Sequence, residues 1–401
     1  MKILLIDTLC NSGSTGKIAY NLYSGMKRLG HESAIAYGRG KLIDDANIYR
    51  FSPKWEVYLH AALTRLTGIT GCYSPIATRR LLKFIKRFSP DVVHLHNIHG
   101  YYLNDCVLLN YLKKSNIRTV ITLHDEWLYT GKCAYTYDCD AWQHECKNCP
   151  QVKEYPASLF FDKTRAMYLK KKRIFEGFDN LTLVTPSEWL ANRVKQSFLK
   201  DKHIVVIPNG IDTDIFKPMD TSDLQTKYSG AAKKVLHVTP NFEDKRKGGK
   251  YVLELAKRMP DISFFIVGNK KPIKNLPQNA HAVGRTENQV QLAQWYSFAD
   301  ITLLTSEKET FSMVCAESLA CGTPIVGFDA GAPIEVAPEG YGVFTPYGDI
   351  SALELILLQN MNNKEQCAEF GRANYDYELM AKRYESLYKY NKEEDNVYNF
   401  I

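Results

Sequence analysis

The chain has 401 residues, 45% hydrophobic and 24% charged, with a formal net charge of +7. That length suggests two or three domains with ample core, so disulfide or metal staples are not required for stability. The composition excludes collagenous, low-complexity and disordered chains, and no uncharged apolar run approaches the roughly 18–20 residues of a spanning helix.

The opening run Ile3–Ile6 meets Asp7 at once. It is too short for a signal-peptide core and reads as a first buried strand, which points to a cytoplasmic protein. Runs rich in Val, Ile and Leu follow at Val92–Leu95, Thr119–Leu123, Leu181–Val184 and Ile204–Ile207. Between them lie stretches of helical period such as Ile18–Leu29, Arg79–Phe88 and Cys106–Lys114. A second series comprises Val235–Val238, Ile262–Val267, Ile301–Leu304 and Pro324–Gly327, with helices at Tyr251–Met259, Gln289–Phe298 and Met313–Ala320. Continuous apolar strands separated by helices predict α/β domains with parallel sheets covered on both faces. The seam falls near Pro208, so a first domain is expected over 1–208 and a second over 209–375. The last predicted helix, about 376–395, is polar and Tyr-rich, and the segment 376–401 is expected to pack back on the first domain.

Charge is uneven, +12 over residues 1–208 and −5 over the remainder. A basic first half fits an anionic partner, either a phosphate-bearing substrate or a membrane surface, and solubility alone explains it equally well. The stretch Arg79–Phe88 is basic and amphipathic. It can touch anionic lipid at the inner face of a membrane, or simply cover a sheet.

Ligands of such sheets sit at the carboxyl ends of strands, so the residues just after each strand are the candidates. After the first strand comes Gly13-Ser14-Thr15-Gly16-Lys17. It fails as a P-loop and as a dinucleotide fingerprint, because Asn11 stands where the first glycine belongs and Ile18 follows the lysine. A glycine turn ahead of a helix still lets backbone approach an anion. His96-Asn97-Ile98-His99-Gly100 and His124-Asp125-Glu126-Trp127 follow the next two strands. In the second series Lys245-Arg246-Lys247-Gly248-Gly249 opens a helix, a surface suited to a diphosphate. The strongest signal is Glu309-Thr310-Phe311-Ser312-Met313-Val314-Cys315-Ala316-Glu317, lying between the strand Ile301–Leu304 and its following helix. It sets one carboxylate in the loop and one in the helix, with a helix N-terminus between them. Carboxylates accept hydrogen bonds from sugar hydroxyls.

Together these motifs resemble the retaining glycosyltransferases of family 4, which have the GT-B fold of two Rossmann-like domains facing across a cleft. The likeness runs through the glycine loop, Pro90–His96, Thr122–Asp125, Val206–Asp212, Arg246–Gly248, Tyr296–Asp300 and Glu309–Glu317. The cysteine segment and His96–Gly100 look like the bacterial exopolysaccharide, colanic-acid-type branch. The resemblance implies a nucleotide-sugar donor, an acceptor that is a glycan or a lipid-linked glycan, and no metal cofactor for catalysis. It implies that Glu317 binds ribose hydroxyls, Glu309 the donor sugar, backbone at Phe311 and Ser312 the distal phosphate, and Lys247 the leaving diphosphate, helped by Arg246 or Lys245. His124 would contact the donor sugar, Arg285 and Thr286 would border the base, and Gly13 and Gly16 would face phosphate and acceptor. Asn97, His99 and Asp125 are expected on the acceptor side. Two positions depart from the family pattern: Asn241 replaces a phosphate-binding arginine six residues before Lys247, and Ser312 replaces a glycine.

Six of the ten cysteines are scattered, and Cys133, Cys139, Cys146 and Cys149 crowd into one segment. The last pair has zinc-knuckle spacing, while the first gap of five is unusual. A structural zinc site, two disulfides and free thiols all stand as readings, with disulfides disfavoured in a reducing cytosol. Two other functional classes stay open. A nucleotide-sugar epimerase would use the same fold. A non-catalytic, zinc-containing glycan- or nucleic-acid-binding module would leave Glu309 and Glu317 unexplained, and nucleic acid is not an expected partner.

Overall fold

The computed structural model describes residues 1–230, 232–361 and 363–390. They form two compact units. Met1–Thr185, Arg193–Ile207 and the described residues from Tyr377 on make the first; Pro186–Asn192 and Pro208–Asp376 make the second. The seven residues from Pro186 to Asn192 therefore depart from the expected division at 208. Local bonds explain this: Ser187 Oγ donates to Thr310 O at 2.8 Å, and the Glu335 carboxylate accepts from the amides of Glu188 and Trp189 at 2.8 and 2.6 Å.

The first sheet contains β1 Lys2–Asp7, β2 Glu32–Tyr37, β3 Ile48–Arg50, β4 Val92–Leu95, β5 Arg118–Thr122, β6 Leu181–Thr185 and β7 His203–Val206, in the order β3-β2-β1-β4-β5-β6-β7. The second contains β8 Lys233–Val238, β9 Ile262–Val267, β10 Ala280–Gly284, β11 Ile301–Leu304, β12 Ile325–Phe328 and β13 Gly342–Thr345, in the order β10-β9-β8-β11-β12-β13. Every adjacent pair is parallel. Helices cover the strands on both faces, which is why Ile3, Leu4, Leu5 and Ile6 are all fully buried. In each sheet the chain winds outward from its first strand and then returns to pair on that strand's other side. The direction reverses between β1 and β4 and between β8 and β11, and crevices for ligands open at such points.

Sequence periodicity missed β2, β3, β10 and β13. These strands are short, or mix Ala, Ser and Gly among their apolar residues, as in Glu32–Tyr37 (ESAIAY). Helix Pro75–Phe88 buries Leu81, Phe84 and Ile85. Its apolar face therefore serves the core, as ordinary sheet-covering packing requires. The predicted last helix is Tyr377–Lys389, which packs in the first unit against Gly13–Arg28; ahead of it a helix that the periodicity missed, Lys364–Tyr375, packs in the second unit against Met313–Ala320. A Cβ on Gly25 would lie 2.5 Å from Ala381 Cβ, so that crossing needs glycine. Tyr384 and Tyr388 send their hydroxyls to Thr122 Oγ1 (2.7 Å) and His94 Nδ1 (2.6 Å). The remainder of the expected C-terminal segment, 391–401, lies outside the described residues.

Candidate active site

In the first unit the residues that close β1, β4 and β5 converge. The loop after β1 runs into helix Gly13–Arg28, which starts at Gly13 itself, five residues before the predicted onset at Ile18. Gly13 has φ +67°, and a Cβ on Gly16 would lie 3.1 Å from Leu9, so the two glycines let the turn fold tightly on Leu9. The single Thr8 hydroxyl proton is shared between the carbonyls of Asn97 and His99, 2.8 and 2.9 Å from Oγ1, so the β1 and β4 loops are laced together. Asn97 enters this lacing through its backbone.

The histidines form one ring cluster. His94 and His96 centroids lie 4.2 Å apart, and His96 Nδ1 lies 3.0 Å from His124 Nε2. His99 Nε2 lies 2.6 Å from Asp125 Oδ2, and the His99 ring packs on Trp127 at 5.3 Å. Burial pushes His124 down to about 4 and pushes His94 and His96 well below their ordinary range, so these imidazoles are neutral at pH 7. Burial works to raise the Asp125 carboxyl, but His99 beside it holds it below the usual value. Asp7 was not among the sequence candidates. It is fully buried at the end of β1, and burial lifts its carboxyl to about 7. Asp7 Oδ2 and His96 Nε2 are both buried without a hydrogen-bond partner, on the residues that follow the paired Ile6 and Leu95. An acid closing an apolar strand was the available signal for Asp7.

In the second unit β8 and β11 present opposite charges. Lys247 Nζ lies 2.5 Å from Glu309 Oε1, both largely buried. Burial acts to raise the Glu309 carboxyl, yet the Lys247 ammonium, with Arg246 and Ser306, holds it below the usual carboxylate range. The approach is set by glycine. Gly248 has φ +67°, and a Cβ there would stand 2.0 Å from Thr305 O; one on Gly249 would meet Phe242 O at 2.5 Å. Thr305 Oγ1 donates to Lys247 O at 2.9 Å, and Asp244 caps the turn through the Arg246 amide at 3.0 Å. Glu309 is fixed through its backbone: its amide donates to Ala330 O at 2.8 Å and its carbonyl accepts from Ala332 at 3.2 Å.

Helix Met313–Ala320 then carries the second acid. Ser312 stands before it at φ +83°, which accounts for glycine at this place in the family pattern, and its Oγ accepts from the Cys315 amide at 3.4 Å. Phe311 is buried against Tyr375. Glu317, half-buried, accepts from Tyr296 Oη at 3.0 Å, so Tyr296 aims a carboxylate whose orientation the sequence left open. Asn241 lies exposed in the loop after β8, where its amide bonds Thr239 Oγ1 at 3.3 Å. Arg285 and Thr286 follow β10 at the edge of the sheet, two strands from β8 on the same carboxyl side.

The cysteine segment is a built loop in the first unit. Buried Glu126 accepts from the Arg193 Nε at 2.5 Å and from Tyr129 Oη at 2.8 Å, and buried Lys132 donates to the carbonyls of Gln151, Val152 and Glu154 at 2.8, 2.9 and 2.8 Å. Cys133, Cys139, Cys146 and Cys149 all line one cavity of about 20 Å³. Cys133 Sγ and Cys149 Sγ are 4.0 Å apart, and the Gly131 amide donates to Cys146 Sγ at 3.2 Å. All four are free thiols, so the structure carries neither disulfide of that reading. Among the described residues, three metal-ligating atoms come within 4.8 Å of one another only at Cys72, Asp105 and Cys106, where the Lys170 ammonium 3.1 Å from Cys72 Sγ already supplies a cation.

Residues 15–215 match the family described as Glycosyltransferase Family 4, and residues 229–377 match Glycosyl transferases group 1. The chain belongs to glycosyltransferase family 4. Its loop glycines, histidine cluster and Lys247–Glu309 pair thus stand in a glycosyltransferase of two Rossmann-like, parallel-sheet domains, the GT-B fold. A relative in Escherichia coli (strain K12), the colanic acid biosynthesis glycosyl transferase WcaC, is 24% identical over 97% of this chain and 100% of its own. Sucrose-phosphate synthase from Thermosynechococcus elongatus shares the fold with a TM-score of 0.69 at 17% identity, covering 97% of this chain and 98% of that one. HepE of Anabaena in complex with UDP-glucose shares it at 0.63 and 15%, covering 96% and 99%. Among the described residues, no helix of this glycosyltransferase is long and apolar enough to cross a membrane.

Proposed function

We propose that this glycosyltransferase moves a sugar from a nucleotide-diphosphate-sugar to a hydroxyl of a growing polysaccharide with retention at the anomeric carbon. The observation that carries the reading is the Lys247–Glu309 pair, 2.5 Å apart where the second sheet reverses direction. When the anomeric C–O bond breaks, negative charge grows on the leaving diphosphate. Lys247, Arg246 and the amides at Phe311 and Ser312 would receive it, while Glu309 and Glu317 hold sugar and ribose hydroxyls. Such preorganised charge does the work a divalent cation does elsewhere, so no metal is assigned to the reaction. His124, kept neutral by desolvation, can donate a hydrogen bond to the sugar without adding a like charge near the developing oxocarbenium carbon. No carboxylate is assigned as a covalent nucleophile, and the acceptor hydroxyl attacks on the face the diphosphate leaves, passing its proton to the departing phosphate oxygen. The name of WcaC supports a polysaccharide acceptor, and the HepE complex supports a nucleotide sugar donor.

The test is incubation with a panel of nucleotide sugars, with and without a glycan acceptor. Acceptor-dependent product with the donor's anomeric configuration is expected. A change in the donor that needs no acceptor would replace the reading with epimerisation.

The cysteine loop is proposed to hold one structural zinc. All four cysteines line one cavity of about 20 Å³ and the Cys133 and Cys149 sulfurs lie 4.0 Å apart, so a zinc ion held there would draw Cys139 and Cys146 in to complete its shell. Protein purified without added zinc should carry about one equivalent per chain by elemental analysis. A metal-free chain that is fully folded rules the site out.

A further inference from the structure

Helix Lys54–Thr67 is turned inside out. Its buried residues are Glu56, Val57, His60 and Thr64, three of them polar. Its outer side carries Trp55, Tyr58, Leu59 and Leu66, exposed by 56, 75, 49 and 49%. With exposed Ala62 between them, these positions follow helical spacing and make a single apolar stripe. The inversion is supported from within. The Glu56 carboxylate accepts from the amides of Ile76 and Ala77 at 2.8 Å each, and His60 Nδ1 lies 2.8 Å from Ser74 Oγ. Segment Leu159-Phe160-Phe161 adds three more exposed apolar side chains. It is fastened beside the end of the helix, where the Leu159 amide donates to Arg65 O at 2.8 Å and Phe161 O leaves no room for a Cβ on Gly68.

Cations flank this stripe. The neighbouring helix, Pro75–Phe88, starts on Glu56 and carries Arg79, Arg80, Lys83, Lys86 and Arg87 without one acid. Next to Tyr58 opens a cavity of about 250 Å³ lined by Arg39, Arg50, Ser52, Lys54, Val57 and Tyr58 among others, and no acid lines it. Ser52 is 4% exposed and its hydroxyl has no hydrogen-bond partner. Arg39 and Arg50 each donate once to a carbonyl, of Gly100 and Gly40, which orients them and leaves further N–H donors.

We propose that this face of the first unit docks on an anionic lipid surface, with the stripe and Phe160–Phe161 in the headgroup boundary and a lipid phosphate in the Arg39/Arg50/Lys54 cavity. Apolar side chains at the boundary with cations at the headgroups are what such a surface selects. A second copy of the chain fits poorly, because a two-fold interface would set these cations against themselves. The inference deepens the proposed function by naming a lipid phosphate as the setting of the acceptor, and the docking itself requires no sugar transfer.

The full chain is to be sedimented with phosphatidylcholine vesicles with and without phosphatidylglycerol. Binding is expected only with the anionic lipid, weakening with salt, and with a blue shift of Trp55 fluorescence. Trp55→Ser with Tyr58→Ser should weaken it at least tenfold, and Arg50→Gln about fivefold, with circular dichroism unchanged. Lys247→Ala should bind vesicles as the parent does even where transfer is lost, which separates this inference from the catalytic one. Stabilisation by inorganic phosphate with no vesicle binding would make the cavity a soluble-anion site and overturn the docking. So would a dimer in sedimentation velocity that the Trp55/Tyr58 substitutions dissociate, or unchanged vesicle binding by that variant.

Discussion

At the ends of β4 and β5 the first unit gathers His96, His99 and His124, with burial keeping His96 and His124 uncharged; at the ends of β8 and β11 the second unit sets Lys247 against Glu309 as ions 2.5 Å apart. The two halves of the sequence carry the reverse balance, +12 in residues 1–208 and −5 in 209–401. Bulk charge therefore does not forecast the chemistry of a site. A site's charge state follows from what is buried beside it. An imidazole whose desolvation outweighs the charges beside it loses its proton, whereas a carboxylate with an ammonium in contact keeps its charge despite burial.

Breaking the charged side should have the largest effect. Lys247→Ala should cut sugar transfer on the order of a hundredfold, about 2.7 kcal/mol in the barrier. Glu309→Ala should cost a similar factor, with steady-state rates on the cognate donor as the check. Near-parental rates in both would take the assignment away from this pair.

The neutral side should respond to pH through stability. The folded chain keeps His60, His124 and His237 unprotonated down to about pH 4, and His94 and His96 are likewise depressed. The unfolded chain protonates them below about 6.5, so stability is full above that value and falls on acidification towards 4. Asp7 and Asp105 oppose this, because burial lifts both to about 7 and their contribution is lost as pH rises from about 4 to 7. Five imidazoles against two carboxyls leave a net loss of stability between about pH 6.5 and 5. Thermal melts across that range should show Tm falling, and a flat profile would mean that the imidazoles are not held neutral.

The smallest effect sharpens the charged side. Ser312 sits at φ +83°, so Ser312→Gly should relieve backbone strain of about 1 kcal/mol and lose a few tenths from the helix cap. A net gain of about 0.5 kcal/mol is expected in denaturant unfolding. A loss would show that the Ser312 hydroxyl does more than cap.

Much of this protein was legible beforehand because strand ends can be read from the sequence. Apolar runs followed by His96, His124 or Glu309 place those residues beyond the carboxyl ends of strands wherever the helices fall. Boundaries were less legible. Pro186–Asn192 joins the second unit through Ser187 and Trp189 contacts with residues more than a hundred positions away, and no local pattern encodes such a partner. Asp7 was passed over because an acid after an apolar strand looks like a strand's end, and only the packed sheet shows that it is buried.

By itself the sequence determined the alternation of strand and helix, the pair of parallel sheets and the two acids on either side of the start of helix Met313–Ala320, since these depend on period and local spacing. Tertiary structure alone decided which groups keep their charge, that Tyr296 orients Glu317, and that helix Lys54–Thr67 turns its apolar side to solvent. Each of these depends on what is brought alongside from a distant part of the chain, and burial and proximity, unlike period, are not properties of any one segment.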